Sequence, residues 1–347
     1  MNNSIALIGN FFSGSLGTRG VIEDLALRLA GAGWQVVTAS DKLGRLPRLV
    51  DMVATVWRRR REYAVAQVDV YSGRAFLWAE AVCLILKLTG KPMILTLHGG
   101  GLPDFARRHP NRVRRLLNSA AYVTTPSRFL LEEMRMYRER LQLVSNPLDL
   151  SAYHFELRSR PQPRLVWLRA FHAVYNPSLA PRTVALLTDD FPEIQLAMLG
   201  PDKGDGSLLQ TKMVAAESGL NHLIKFPGAI PKNEVPFCLK EADIFLNTTN
   251  VDNTPVSVME AMASGLCIVS TNVGGIPYLL EHGQDALLVP PNDPQAMAQA
   301  ARRILTEPGL GEHLSRQARG KAEQFDWSVI LPRWEALLSE AAAEVRQ

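Results

Sequence analysis

The chain has 347 residues, 47% apolar and 21% charged, with a net charge of +4, a balance that excludes a disordered or low-complexity protein and leaves room for two domains with cores of their own. Three cysteines, Cys83, Cys238 and Cys267, stand singly in apolar contexts without metal-ligand spacing, which argues against a disulfide framework or a zinc site. The longest apolar run, residues 76–88, is cut by Glu80 and Lys87 and is too short to span a bilayer; with the N-terminus reading directly into a strand and no cleavable signal ahead of it, a cytoplasmic location is expected.

Residues 4–9 read as a first strand, and residues 20–32 as a helix with Val21, Leu25 and Leu29 at helical spacing and Gly33 at its end. Short apolar strands follow at 34–39, 68–71, 93–97, 122–125 and 141–144. The Arg- and Pro-rich segment 157–164 reads as a linker. The alternation restarts at 165–168 and repeats through 195–199, 224–226, 243–246, 267–270 and 286–289, and residues 327–345 are helical in pattern with a break at Pro332. Strands alternating with amphipathic helices predict an α/β chain of two tandem Rossmann-like domains, residues 1–156 and 164–330. Two such open sheets facing across a cleft leave a ligand crevice at the carboxyl ends of their strands.

The most informative stretch runs from Asp252 through Asn253, Thr254, Pro255 and Val256 to Glu260, followed by a strand and then Gly274 and Gly275. It forms a turn between a strand and a helix starting near Val256, so the backbone at Pro255 and Val256 lies at the positive end of the helix dipole, where a phosphate fits. Asp252 and Glu260 accept hydrogen bonds and do not donate them, which suits sugar and ribose hydroxyls. Helix capping by Asp252 and Asn253 alone would not explain the second carboxylate or the glycine pair. Upstream, residues 13–20 form a loop of small residues, with Gly14, Gly17 and Gly20, just before a helix. His98 stands at a strand end before three glycines, where its imidazole projects into the crevice rather than into a core.

These residues resemble the Glu-x7-Glu region of retaining glycosyltransferases of the GT-B fold, group 1 and family four. The match is strong over residues 226–294 and patchy before that. The resemblance implies that Glu260 holds the nucleotide ribose, that Asp252 contacts the donor sugar, and that the Pro255–Val256 backbone meets sugar and phosphate. It further implies that Ile230, after Phe226-Pro-Gly228, reads the nucleotide base through its backbone. Gly17 would reach towards donor phosphate and acceptor, His98 would lie beside the donor sugar, and the last helix, 331–347, would pack back on the first domain. Two departures stand out: Asp252 is one methylene shorter than the family's glutamate, and Val174 occupies the place of a lysine that, with Arg169, neutralises the donor diphosphate. Lys203, Arg182 and His172 are the replacements to consider, with Arg169 and Lys203 the expected pair. The implied activity is metal-independent transfer of a hexose-type unit from a nucleotide diphosphate sugar to a glycan or lipid-linked acceptor, with no cofactor. A sugar-nucleotide epimerase of the same fold and a catalytically impaired binding protein are the alternatives.

Charge is uneven along the chain. Residues 1–150 hold 21 Lys and Arg against 12 Asp and Glu, whereas the remainder holds 17 against 22. The basic half carries arginine clusters at 58–61, at 107–115 and at 128–140, which suit an anionic partner: an acidic glycan, or a membrane surface bearing a lipid-linked acceptor, with the protein then peripheral at the inner face. No nucleic-acid motif accompanies the charge, so nucleic acid is not an expected partner.

Overall fold

A computed structural model describes residues 3–16 and 19–343, so Gly17 lies outside the described residues. The chain forms two compact units, residues 1–147 with 327–347, and residues 148–326. Each is built on a six-stranded parallel sheet.

In the first unit the strands are β1 (Ser4–Ile8), β2 (Gln35–Ala39), β3 (Val65–Val70), β4 (Met93–Leu97), β5 (Tyr122–Thr125) and β6 (Gln142–Leu143), in the order β2-β1-β3-β4-β5-β6. β1 and β4 are buried along their whole length, as expected of parallel strands covered on both faces. Their side chains alternate between two cores. Ile5 and Leu7 meet Leu25 and Leu29 of α1 (Val21–Gly31) together with Ile330, Trp334 and Leu338 of the C-terminal helix Trp327–Ala343. Ala6 and Ile8 meet Val56 of α2 (Arg45–Arg58) and Phe76 and Val82 of α3 (Phe76–Leu88). Gly33, with φ of 88°, takes the left-handed backbone that closes α1. The C-terminal helix runs through Pro332, where a break was expected. The proline is the sixth helical residue, where its ring removes one backbone hydrogen bond without ending the helix, held as it is by buried Trp327, Ile330 and Trp334.

In the second unit β7 (Arg164–Leu168), β8 (Gln195–Leu199), β9 (Ile224–Gly228), β10 (Ile244–Asn247), β11 (Cys267–Thr271) and β12 (Leu287–Val289) are ordered β12-β11-β10-β7-β8-β9. Val166, Phe245 and Ile268 pack against Val258 and Met262 of α4 (Val256–Ser264), while Trp167, Leu246 and Val269 face the opposite core. The segment read as a linker is fastened to this unit. Arg158, 3% exposed in its side chain, pairs with Asp243 at 2.8 Å and donates to the Ala242 carbonyl at 2.9 Å. Asp243 also takes Arg164 at 2.7 Å, so a buried carboxylate turns an Arg- and Pro-rich stretch into part of the fold.

Each strand order reverses direction once, between β1 and β3 in the first sheet and between β7 and β10 in the second. At such switch points the crossover connections diverge to opposite faces and leave a crevice outside the strand ends.

Candidate functional site

The switch point of the second sheet gathers most of the residues singled out above. Arg169 follows β7 directly, and its backbone N–H donates to the Leu199 carbonyl at 3.0 Å. Gly200 permits this approach: a Cβ there would sit 1.8 Å from the Arg169 carbonyl oxygen. The Arg169 guanidinium lies over the Tyr175 ring at 4.4 Å and forms an ion pair with Asp252, the two side chains being 19% and 10% exposed. Its Nε is buried without a hydrogen-bond partner.

Asp252 is placed by the glycine pair. The Gly275 N–H donates to the Asp252 carbonyl at 2.9 Å, and a Cβ on Gly275 would stand 1.8 Å from the Asn253 carbonyl oxygen. Gly274, with φ of 53°, would place a Cβ 2.3 Å from the Asp252 carbonyl oxygen. The two glycines thus let the segment after β11 close on the 252–253 turn backbone to backbone. Pro255 is the N-cap of α4 and supplies no side-chain cap. The first N–H groups of α4, at Val256 and Ser257, therefore stand at a helix N-terminus without intrahelical acceptors. Nearby, Ser257 Oγ and Asn250 Oδ1 are buried with no partner. Buried polar atoms of this kind suit the donors and acceptors of a ligand.

Glu260 lies one turn further along α4, 6% exposed, and its Oε1 accepts from the Tyr153 hydroxyl at 2.8 Å. Burial pushes the Glu260 carboxyl above its ordinary value, opposed by the Tyr153 hydrogen bond and by the charges of Lys232 and Arg169. Burial and the neighbouring Glu260 push the Tyr153 phenol up in turn. Lys203 reaches the same strand ends through its backbone, donating to the Phe171 carbonyl at 3.1 Å, and its side chain is exposed with no carboxylate partner among the described residues. Val174 is 40% exposed and its carbonyl accepts from the Asn250 N–H at 2.8 Å. His172 is turned to Asp205 at 3.8 Å, and Arg182 is exposed on the helix Leu179–Ala185. Ile230, half-buried, follows β9 and packs into the core that includes Val258.

His98 belongs to the first unit, at the end of β4. Its Nε2 lies 3.0 Å from Asp69 Oδ1, on a carboxylate that is 4% exposed. The same oxygen accepts from Gln67 Nε2 at 2.8 Å, and the Tyr71 hydroxyl donates to Oδ2 at 3.3 Å while its ring stacks on the imidazole at 5.1 Å. The Asp69 carboxylate thus fixes the orientation of the His98 ring at the end of β4. A Cβ on Gly9 would stand 2.6 Å from Asp69 Oδ2, so the carboxylate is held against bare backbone. Sequence reasoning missed Asp69; the available signal was an acid and an amide two residues apart on an otherwise apolar strand. Among the described residues, no three His, Cys, Asp or Glu come together to hold a metal ion, and no helix is long and apolar enough to cross a membrane.

Comparisons with known proteins bear on this geometry. Residues 152–321 match the family model of Glycosyl transferases group 1, and residues 17–152 that of Glycosyltransferase Family 4. D-inositol 3-phosphate glycosyltransferase of Thermobispora bispora is 22% identical over 331 residues, 86% of this chain and 77% of that protein. Putative colanic acid biosynthesis glycosyltransferase WcaL of Salmonella typhimurium is 44% identical over 127 residues, 34% of this chain and 31% of that protein, so this match covers about a third of either. Among solved structures, Anabaena Alr3699/HepE in complex with UDP and glucose superposes with a TM-score of 0.74 at 16% identity, covering 97% of this chain and 99% of that one.

Proposed function

This chain belongs to the glycosyltransferases, with a group 1 region over residues 152–321 and a Family 4 region over residues 17–152, and on that premise we propose that it is a retaining enzyme moving a hexose-type unit from a nucleotide diphosphate sugar to a glycan or lipid-linked acceptor in polysaccharide or glycoconjugate biosynthesis. The observation that carries this is the uncapped N-terminus of α4, set between Asp252 and Glu260 and beside Arg169 at a strand-order reversal. A nucleotide sugar matches that set. Its diphosphate takes the Val256 and Ser257 N–H groups, with Arg169 and Lys203 as cations. Its ribose hydroxyls donate to Glu260, its sugar hydroxyls to Asp252, and its base meets the backbone at Ile230. His98 is assigned to the transferred sugar. The solved likeness that holds UDP and glucose, and the named activities of the sequence relatives, favour the same ligand class.

In this mechanism the bond between the sugar anomeric carbon and the diphosphate breaks, and its electron pair stays on the phosphate oxygen. The acceptor hydroxyl attacks on the same face, and its proton passes to that oxygen, so the anomeric configuration is retained. Arg169, Lys203 and the helix N-terminus neutralise the charge that develops, a contribution on the order of a few kcal/mol for each well-placed group. That role needs no divalent metal. The basic first unit receives the acceptor and favours association with an anionic surface.

Release of nucleotide from a panel of donor sugars, with and without added acceptors, tests the reading, and NMR of the product reads the anomeric configuration. A product of inverted configuration would remove the retaining assignment. Change of the sugar without any acceptor would replace transfer with epimerisation, and no turnover of any donor would leave a binding protein.

A further inference from the structure

Several members of the arginine clusters that the sequence displays are occupied. Arg59 pairs with Glu62, Arg107 with Asp104 and Glu133, Arg112 with Glu80, and Arg135 with Glu132, while Arg60 stacks on Trp57. Three other arginines, scattered singly in sequence, converge on one cleft of about 590 Å³ in the first unit: Arg45, Arg48 and Arg74, with Tyr71 and Trp78 in the wall. No carboxylate lines this cleft, and none pairs with any of the three among the described residues. A cavity of that volume suits a sugar-sized ligand.

The cleft is built rather than incidental. Arg48 Nε and Nη2 donate to the Lys42 and Leu43 carbonyls, each at 2.8 Å, and Nη1 to Asn10 Oδ1 at 3.3 Å. Its guanidinium lies 4.4 Å from the Phe12 ring centre and 4.9 Å from that of Trp78. Burial first, and the adjacent Arg45 charge second, push the Arg48 guanidinium below its ordinary value. The position is informative too. Asn10 follows β1 and Tyr71 follows β3, so the cleft opens at the reversal of the first sheet. Tyr71 joins the cleft to the His98–Asp69 pair, against which it stacks and bonds.

We propose that this cleft is the acceptor subsite and that it takes a sugar bearing an anionic group, a phosphate or a carboxylate, with Arg45 and Arg74 as the residues that hold the charge. The assignment as acceptor subsite rests on the transferase reading; the binding of an anionic sugar does not. Guanidinium groups grip either anion in a planar two-point contact, and here they would replace repulsion by pairing.

The test uses the full chain and three probes, glucose 6-phosphate, glucuronic acid and glucose, with affinity read by saturation-transfer NMR titration. At least one charged probe binds more tightly than glucose, and the R45Q/R74Q variant weakens it roughly tenfold or more, the range of a lost charged hydrogen bond. A response to glucose 6-phosphate alone assigns a phosphate-bearing acceptor, and to glucuronic acid alone a uronic one. Arg169→Ala leaves these affinities as they were. Charged probes that bind no better than glucose, unchanged affinity in R45Q/R74Q, or loss of binding in Arg169→Ala would each overturn the proposal. Arg74→Gln alone, at an exposed position, serves if the double variant does not fold. Wild-type protein that binds a charged probe in this way but turns over no nucleotide sugar would leave the anion site standing and remove the transferase reading.

Discussion

Replacing Glu260 with glutamine separates stability from function. The carboxylate is 6% exposed and accepts a 2.8 Å hydrogen bond from Tyr153, which an amide oxygen can also accept. Burial raises the folded-state pKa above the ordinary 4.5, so protonation is favoured by folding. The contribution of this group to stability is therefore fully present below about pH 4.5 and is lost as pH climbs through the raised folded value. Above that ordinary value the burial of this group weighs against the fold, and Glu260→Gln removes that weight. Unfolding temperature should rise at pH 7, by roughly 2–4 °C for each kcal/mol gained in a unit of this size. Nucleotide affinity should move the other way. A ribose hydroxyl bonded to an anion rather than an amide differs by about 1–2 kcal/mol, so calorimetric titration with the preferred nucleotide should show a roughly five- to thirtyfold loss per bond. Thermal unfolding from pH 4 to 8 completes the assay, with the gap between variant and wild type widening as pH rises. A variant that binds nucleotide as the wild type does would refute the ribose assignment. One that melts lower at pH 7 would refute the account of the buried charge.

Other outcomes follow from the same geometry. Arg169→Ala should lower turnover roughly a hundredfold and donor affinity much less, as read from initial rates, because its charge matters most when the diphosphate leaves. Gly275→Ala should destabilise the second unit by about 1–3 kcal/mol in denaturant titrations and abolish donor binding, since its methyl would meet the Asn253 carbonyl at 1.8 Å. Asp69→Asn should lower kcat at least about tenfold, shift the imidazole ¹⁵N signals of His98 in NMR, and cost nothing further in a His98→Ala background. Turnover with the best donor should survive EDTA; loss on chelation and return on adding magnesium would show that metal shares the diphosphate.

The strands were legible because a parallel sheet covered on both faces leaves plain apolar runs, and the sequence bounds for Met93–Leu97, Tyr122–Thr125 and Gln195–Leu199 coincide with the structure. β3 starts three residues before its sequence estimate, because Gln67 dilutes the apolar run; it is buried by bonding to Asp69 and Thr96. The turn at 252–260 was visible because its chemistry is local, with two carboxylates and a helix start within nine residues. What stayed hidden depends on long-range closure. The partner of Arg169 lies 83 residues away, and the convergence of Arg45, Arg48 and Arg74 is made by the start of α2 meeting the end of β3. The conspicuous cluster at 107–115 also hid its pairing, because Glu133 and Glu80, on other elements, reach Arg107 and Arg112.

The ion pair between Arg169 and Asp252 couples the two charges of the site, so that a ligand engaging one must reckon with the other. A lone anion can win the guanidinium only by stranding a carboxylate in a largely enclosed setting, and a neutral sugar strands the cation instead. Only a molecule carrying negative charge and hydroxyls at the right separation compensates both sides at once. On the donor-site reading proposed above, a ligand that carries only one of these features is therefore held less well than one that carries both.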